Sequence, residues 1–559
     1  GVGAARDGLV GLGVGTGQQW LDVAVMVGHP EWIEDPKLLL DRTALAPAID
    51  EWIAGHSVEE VLDLASAFRI PNAPIADGAN VTTFPHLRER GTFVANPRDG
   101  ATNPGPPYRL GAAVLRPPGP APCLGEHAVD EATDPLPAAR RKAGPLPFDG
   151  LRVLDMTSYW AGPLVGSLLG MLGADVIHLE SAKRPDGLRL VGGVPPTEDQ
   201  WWERGPIFTA LNTNKRSLTL DLGDPRGIEL LHRVVATCDV VVENHTPRVL
   251  DQLGLTYEAL QADRPDLIMV RMPGFGLDGP WRDLPAFAFV IEDAAGLTWL
   301  TGHEDLLPIE PYCVGDPNAG LHAMVGLLLA LEHRDRTGEG GLVEAAMVDA
   351  ALNITAEQVI EHSAYGALLQ RTGNRGPMAA PQNLYLSADE DHKGRRDSWV
   401  AIAVETDAQW TVLGRALGDP DWATDPALAT AAGRVAAHDA IDEHLQAWCD
   451  ERSADAVVDQ LWSAGVPVAK VVPPHHQPDL AQLQARGFFE EVDHPVAGRS
   501  RLSTLPFSLS RGPERVHTRP APLLGEHNAE LLGELGLTPD EIARLEVDGV
   551  IGRALVTDR

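Results

Sequence analysis

The chain changes period several times. From Leu151 the run LRVLDMT is short and apolar, as buried strands are. AGPLVGSLLGMLGA (161–174) has small and apolar residues at helical spacing, and DVIHLES (175–181) returns to a strand pattern. CDVVVEN (238–244) and DLIMVRM (266–272) repeat the strand signal, as the expected third and fourth strands. Strands alternating with helices predict a parallel, doubly wound α/β sheet. Further on, Leu321 to Leu331 is apolar but for His322 and is closed by HRDRTGEGG. This predicts a buried helix around 317–333, followed by helix around 344–370. Asp316, in GDPNAG, then stands at the mouth of that helix, where free N–H groups favour a carboxylate; the plain alternative is a simple cap.

The opening of the chain resembles its end. GQQWLDVAVMVGHPEWIEDP (from Gly17) matches DAQWTVLGRALGDPDWATDP (from Asp407), pairing Trp20 with Trp410 and Trp32 with Trp422. Trp52 pairs with Trp448, RIPNAPI (69–75) with AGVPVAKV (464–471), and RERGTF (88–93) with QARGFF (484–489). APCLGEH (121–127) matches APLLGEH (521–527). Matches kept in order over such a length predict a duplicated module. The repeat also bears on LVGLGVGTG (9–17), which looks like a phosphate loop. Its counterpart WVAIAVETD (399–407) alternates as a strand does, so these glycines are expected to line a strand.

Residues 116–148, rich in Pro and Ala, are expected to be a linker. The expected organisation is a small domain over 1–115, a nucleotide-fold large domain over 149–384, a second small domain over 385–495 and a C-terminal return segment over 496–559. With 559 residues and 44% apolar residues, the chain can build more than one core. No apolar run reaches membrane-spanning length and no secretory signal opens the chain, so a soluble, cytoplasmic protein is expected. A net charge of −34 argues against nucleic-acid or anionic-membrane partners. Cys123, Cys238, Cys313 and Cys449 lack paired spacing, so neither a metal site nor a disulfide framework is expected.

The motifs VLDMTSYWAGPLVGSLLGMLGADVIHLE (153–180), LNTNKRSLTLDL (211–222), VVENHTPRVLDQLGL (241–255), GDPNAGLHAMVGLLLALEHRDRTGEG (315–340) and GNRGPMAAP (373–381) resemble the class III coenzyme A transferases. That group includes formyl-CoA transferase, carnitine CoA-transferase and the 2-methylacyl-CoA racemases. The resemblance covers 150–545; residues 1–145 resemble the C-terminal part of a second copy. It implies a tandem protein lacking its first portion, with Gly1 opening a partial or processed chain. It also implies an interlocked-ring fold: a Rossmann-like large domain, a small α/β domain and a partial second copy. The family pairs two copies with sites between large and small domains, so a homodimer or an intramolecular pseudo-dimer is expected. Residues 8–95 would then cover the site.

By the same resemblance Asp316 is the nucleophile that moves CoA from an acyl-CoA to a carboxylic acid, through an aspartyl anhydride and an aspartyl-CoA thioester. CoA is a substrate, with no tightly bound cofactor. Lys215, Arg216 and Asn244 stand where the family contacts CoA, and Lys183 and Arg184 could hold its phosphates. Tyr159 and Trp160 are expected to line the acceptor pocket, and Gly373, Asn374 and Gly376 to supply N–H donors or a lid. Trp160, Gln252 and Phe289 depart from formyl-CoA transferase, which disfavours oxalate and formate and suits a larger or less polar acid, or a quaternary cation. Phe287 occupies the position of the racemases' histidine and cannot carry a proton. Glu292 and Asp293 are expected at a helix start, and His322 inside its helix. The rival readings are an acyl-CoA isomerase, racemase or lyase, and a non-catalytic CoA-binding protein.

Overall fold

The structure, a computed structural model, describes residues 1–34, 44–111, 119–126, 144–391 and 393–556; much of the expected linker (116–118 and 127–143) lies outside them. The glycine-rich opening is strand as far as Leu12. β1 (Val2–Ala5), β2 (Gly8–Leu12) and β3 (Asn72–Pro74) form an antiparallel sheet in that order. Helix α1 (Gly17–Met26) follows, started by a capping box between Thr16 and Gln19 that satisfies free N–H groups at its first turn. β4 (Phe93–Ala95) and β5 (Thr102–Pro104) make a hairpin.

The large sheet has seven strands. β6 (Arg109–Leu110) is its antiparallel edge; β7 (Arg152–Asp155), β8 (Asp175–Glu180), β9 (Lys215–Thr219), β10 (Val240–Glu243), β11 (Ile268–Arg271) and β12 (Gly341–Glu344) are parallel. The order β6-β12-β11-β10-β7-β8-β9 reverses direction between β7 and β10. In doubly wound sheets, ligands bind in the crevice beyond the carboxyl ends of the strands at such a reversal. Helix α2 (Ala161–Met171) leaves β7; α3 (Ala288–Ala294), α4 (Gly315–Thr337) and α5 (Met347–Ile354) pack on the same side of the core.

Two expectations need correction here. The third strand in sequence is β9, within LNTNKRSLTLDL, rather than 238–244. Its polar sequence hid it: all five residues are buried, with Lys215 met by Asp155, Asn212 and Pro163 and the rest of the strand largely by the C-terminal segment. Thr219 N donates to Asn528 Oδ1 (2.8 Å), His527 N to Ser217 O (3.1 Å) and Gly525 N to Ser217 Oγ (2.9 Å). Helix α4 is buried on one face only. Ala319, Ala323, Leu327 and Leu331 enter the core, while Leu321, Val325, Leu328 and Leu329 are exposed.

The chain divides into two compact units. The first is Gly1–Leu300, Ile309–Leu369 and Gly487–Arg559, and the second is Thr301–Pro308 and Gln370–Arg486. In the second, β13 (Gln382–Leu386), β14 (Trp399–Ala403) and β15 (Val468–Lys470) form an antiparallel sheet, again in sequence order. Helix α6 (Asp407–Ala416) follows β14 with a Thr406–Gln409 capping box, as α1 follows β2. In the first unit, β16 (Phe489–His494) and β17 (Gly498–Ser503) make a hairpin. Among the described residues no helix is long and apolar enough to cross a membrane.

Candidate active site

Three helices of the first unit start close together. Tyr159 and Trp160 precede α2, Phe287 precedes α3, and Gly315 and Asp316 open α4. The starts approach closely because side chains are missing where backbones meet. A Cβ on Gly320 would lie 2.7 Å from Ala161 O, and one on Gly315 would lie 3.4 Å from Ala288 O. Tyr159, with φ of 65°, is turned so that its N–H donates to Asp186 Oδ1 (2.9 Å) and its ring meets Phe287 edge-on, centroids 5.1 Å apart. Burial, helped by Asp186, pushes the Tyr159 hydroxyl upward.

Asp316 lies in the first turn of α4, partly open to solvent, and burial pushes its carboxyl up to about 7. A carboxylate of that kind is poorly solvated and correspondingly more reactive as a nucleophile. Behind it, Glu292 is fully buried and accepts the Gly315 N–H at 2.9 Å. Burial raises Glu292 to about 7, against the pull of the Gly315 and Val314 N–H groups; Asp316 and Glu310 add to the rise. Asp293 is raised well above the usual carboxylate range by burial and Glu310, and its Oδ1 accepts from Thr298 Oγ1 (2.7 Å). The expectation for these two acids was wrong in place: they occupy the last turn of α3, not its start. Cys313, at φ 64°, is pushed up to about 12 by burial and by Asp316, Glu292 and Glu310.

The opening strand walls this region. Cβ atoms on Gly11, Gly13 and Gly15 would lie 1.8 Å from Asp293 Oδ2, 2.7 Å from Val290 Cγ2 and 2.9 Å from Phe287 Cε2. Alternate residues of a strand share a face, and every third residue of a helix lies on one side. The bare face of β2 and of the extended residues after it thus seats directly on α3 and the Phe287 before it. The signal was in the sequence as glycine at every second position, and as an apolar helix carrying two acids.

The other sequence-derived candidates fall in several places. Lys215 is buried in β9, and its ammonium bonds Asp155 Oδ2 (2.8 Å), Asn212 Oδ1 (2.8 Å) and Pro163 O (2.9 Å), which uses all three donors. Arg216 is held by Asp175, Glu530 and Glu534. The resemblance implied that both contact CoA; on this covered strand their charged groups are held by ion pairs within the chain. Asn244 stands at the sheet's reversal, where its amide spans from β10 to Ser158 after β7, accepting from Ser158 N (2.9 Å) and donating to Ser158 O (2.8 Å). Lys183 pairs with Asp221, and Arg184 is exposed on the same turn after β8. Trp160 is half-buried. His322 lies within α4, with its imidazole pulled down by burial. Gly373, Asn374 and Gly376 belong to the second unit, where Gly373 N donates to Gly302 O (2.7 Å) and Asn374 Nδ2 to Asn383 Oδ1 (3.0 Å). Among the described residues no group of three His, Cys, Asp or Glu side chains is placed to hold a metal.

Known proteins are similar to this chain in sequence and fold. A succinyl-CoA–D-citramalate CoA-transferase of Chloroflexus aurantiacus is 34% identical over 410 residues, 73% of this chain and 98% of that protein. A formyl-CoA:oxalate CoA-transferase of Rhodopseudomonas palustris is 32% identical over 424 residues, 72% of this chain and 96% of that protein. The crystal structure of a CAIB/BAIF family protein from Brucella suis matches with a TM-score of 0.62 and 32% identity, covering 70% of this chain and 99% of that one. The model of CoA-transferase family III matches residues 2–128 and 148–528. The chain is therefore a CoA-transferase, a member of CoA-transferase family III.

Proposed function

We propose that Asp316 transfers CoA through covalent intermediates. Its carboxylate attacks the acyl-CoA carbonyl, and breaking the C–S bond expels CoA as thiolate and leaves an acyl-aspartyl anhydride. The thiolate attacks the aspartyl carbonyl, releasing the donor acid and leaving an aspartyl-CoA thioester. The acceptor carboxylate attacks that thioester, expelling CoA thiolate and forming a second anhydride; the thiolate then attacks the acceptor carbonyl, making the new acyl-CoA and freeing the Asp316 carboxylate. No net proton is consumed. The observation that carries this reading is the desolvated Asp316 carboxyl at the meeting of three helix starts. Such a relay divides one difficult transfer into easier steps.

Tyr159 and Phe287 form the wall where the acyl or acceptor group would rest, and their edge-on pair favours an acid with apolar surface. Relatives named for succinyl-CoA make succinyl-CoA a reasonable first donor. CoA would run along the carboxyl ends of β7 and β10, past Ser158 and Asn244, with Lys183 and Arg184 on the turn after β8 near its phosphates. Residues 8–95 would complete the Asp316 site as part of a duplicated module, a reading supported by β2 seated on α3.

The test is mass spectrometry after incubation with a panel of acyl-CoAs and then hydroxylamine. A hydroxamate on Asp316, absent from Asp316→Asn, is the expected result. Acyl-CoA turnover with Asp316 unmodified would instead favour isomerase or lyase chemistry.

A further inference from the structure

Glu292 is used by nothing in the relay just described, yet it is wholly buried in the last turn of α3. One of its oxygens accepts the N–H of Gly315, the residue before the nucleophile, at 2.9 Å. The other, Oε2, is buried with no hydrogen-bond partner. A lone buried carboxylate oxygen is costly, and protonation is the ordinary relief. The titratable groups that reach Glu292 are Asp316 from α4 and Glu310 and Cys313 from the segment before it, with Asp293 next along its own helix. β2 and β3 bring no titratable side chain. On α5, Asp349 is held by Arg90 and Thr92.

We infer that Glu292 is a positioning residue for the transfer: it fixes the Gly315–Asp316 backbone, and the proton it holds decides how readily Asp316 ionises. This rests on Asp316 being the nucleophile. As the pH rises, the two carboxyls lose protons as a coupled pair, because each resists ionisation beside the other's charge. With Glu292 neutral, Asp316 ionises alone and stays fixed by the Gly315 bond. With Glu292 charged, Asp316 ionises only at higher pH.

Glu292→Gln and Glu292→Leu separate the two roles. Glutamine keeps an oxygen for Gly315 and removes the charge; leucine removes both. Asp316 ionisation is read without substrate, by water-soluble carbodiimide labelling of the protein across pH and mass spectrometry of the Asp316 peptide. E292Q should move the labelling midpoint down by about one pH unit, the scale of a lost like-charge neighbour. With succinyl-CoA as donor, E292Q should keep its maximal rate of Asp316 acylation. E292L should lose about tenfold or more of that rate with little change in KM. A midpoint in E292Q that coincides with wild type overturns the inference, even if E292L fails to fold. Failure of the nucleophile reading would show differently, as transfer surviving in Asp316→Asn whatever the midpoints do.

Discussion

Replacing Gly11 with alanine adds a single methyl group where the opening strand meets α3. That Cβ would fall 1.8 Å from Asp293 Oδ2, 2.5 Å from its Cγ and 3.2 Å from its Cβ. Either the strand withdraws or the acid turns away from Thr298, whose hydroxyl it holds at 2.7 Å. Overpacking of this kind costs about 1–3 kcal/mol, and the displaced hydrogen bond adds about 1 kcal/mol. Gly17→Ala is the matched control. Nothing lies within 4 Å of its Cβ, at the first residue of α1. It should be neutral or stabilise by about 0.4–1 kcal/mol, through the unfolded chain. If the clash with the carboxyl is the cause, Asp293→Ala should suppress Gly11→Ala, with a coupling of at least about 1 kcal/mol in a double-mutant cycle. Urea unfolding followed by tryptophan fluorescence, on all four proteins of the cycle, reads this. Additivity within about 0.5 kcal/mol would refute the account of the glycine face.

Lys215→Met leaves the buried Asp155 with His178 alone as a cationic neighbour, and should destabilise the protein by about 3 kcal/mol; the folded fraction should keep its KM for acyl-CoA, and a raised KM with normal stability would instead restore a ligand-binding role. Asp316 also makes activity and stability run in opposite directions with pH. Its carboxyl is raised to about 7 in the folded protein, above the unfolded value near 4, so its contribution to stability is full below about pH 4 and is lost as pH rises towards 7. Over the same window kcat/KM should climb as the nucleophile ionises. Unfolding midpoints of wild type measured against Asp316→Asn should therefore narrow or reverse in favour of the variant as pH rises, and a constant difference between the two would refute this.

The parallel sheet was readable because four of its strands, β7, β8, β10 and β11, each carry two or three consecutive buried apolar residues, as strands covered on both faces do. β9 was not, because its buried polar side chains are satisfied by residues from 525 onward, and no local window contains both partners. The same distance in sequence hid the role of Lys215: NTNKRS has the composition of a ligand loop, and only the fold shows Asp155 waiting beside it. The place of Asp316 at the start of α4 was legible from the long apolar run that follows it. Glu292 was not, since a helix of seven residues gives no sense of which end an acid occupies until its backbone is placed. The strand character of residues 8–12 could be inferred only because a second, less glycine-rich version of the segment exists.

The bare face of that opening strand also sets it apart from the segment it resembles. Gly11, Gly13 and Gly15 correspond to Ala401, Ala403 and Glu405. The side chains differ at every position whose Cβ would strike α3, and most of all at the last, where a carboxylate would be driven into the Phe287 ring. Writing the sequence of 399–407 into residues 9–17 would therefore yield a chain whose strand no longer fits its helix. The two segments look alike, but they are not interchangeable.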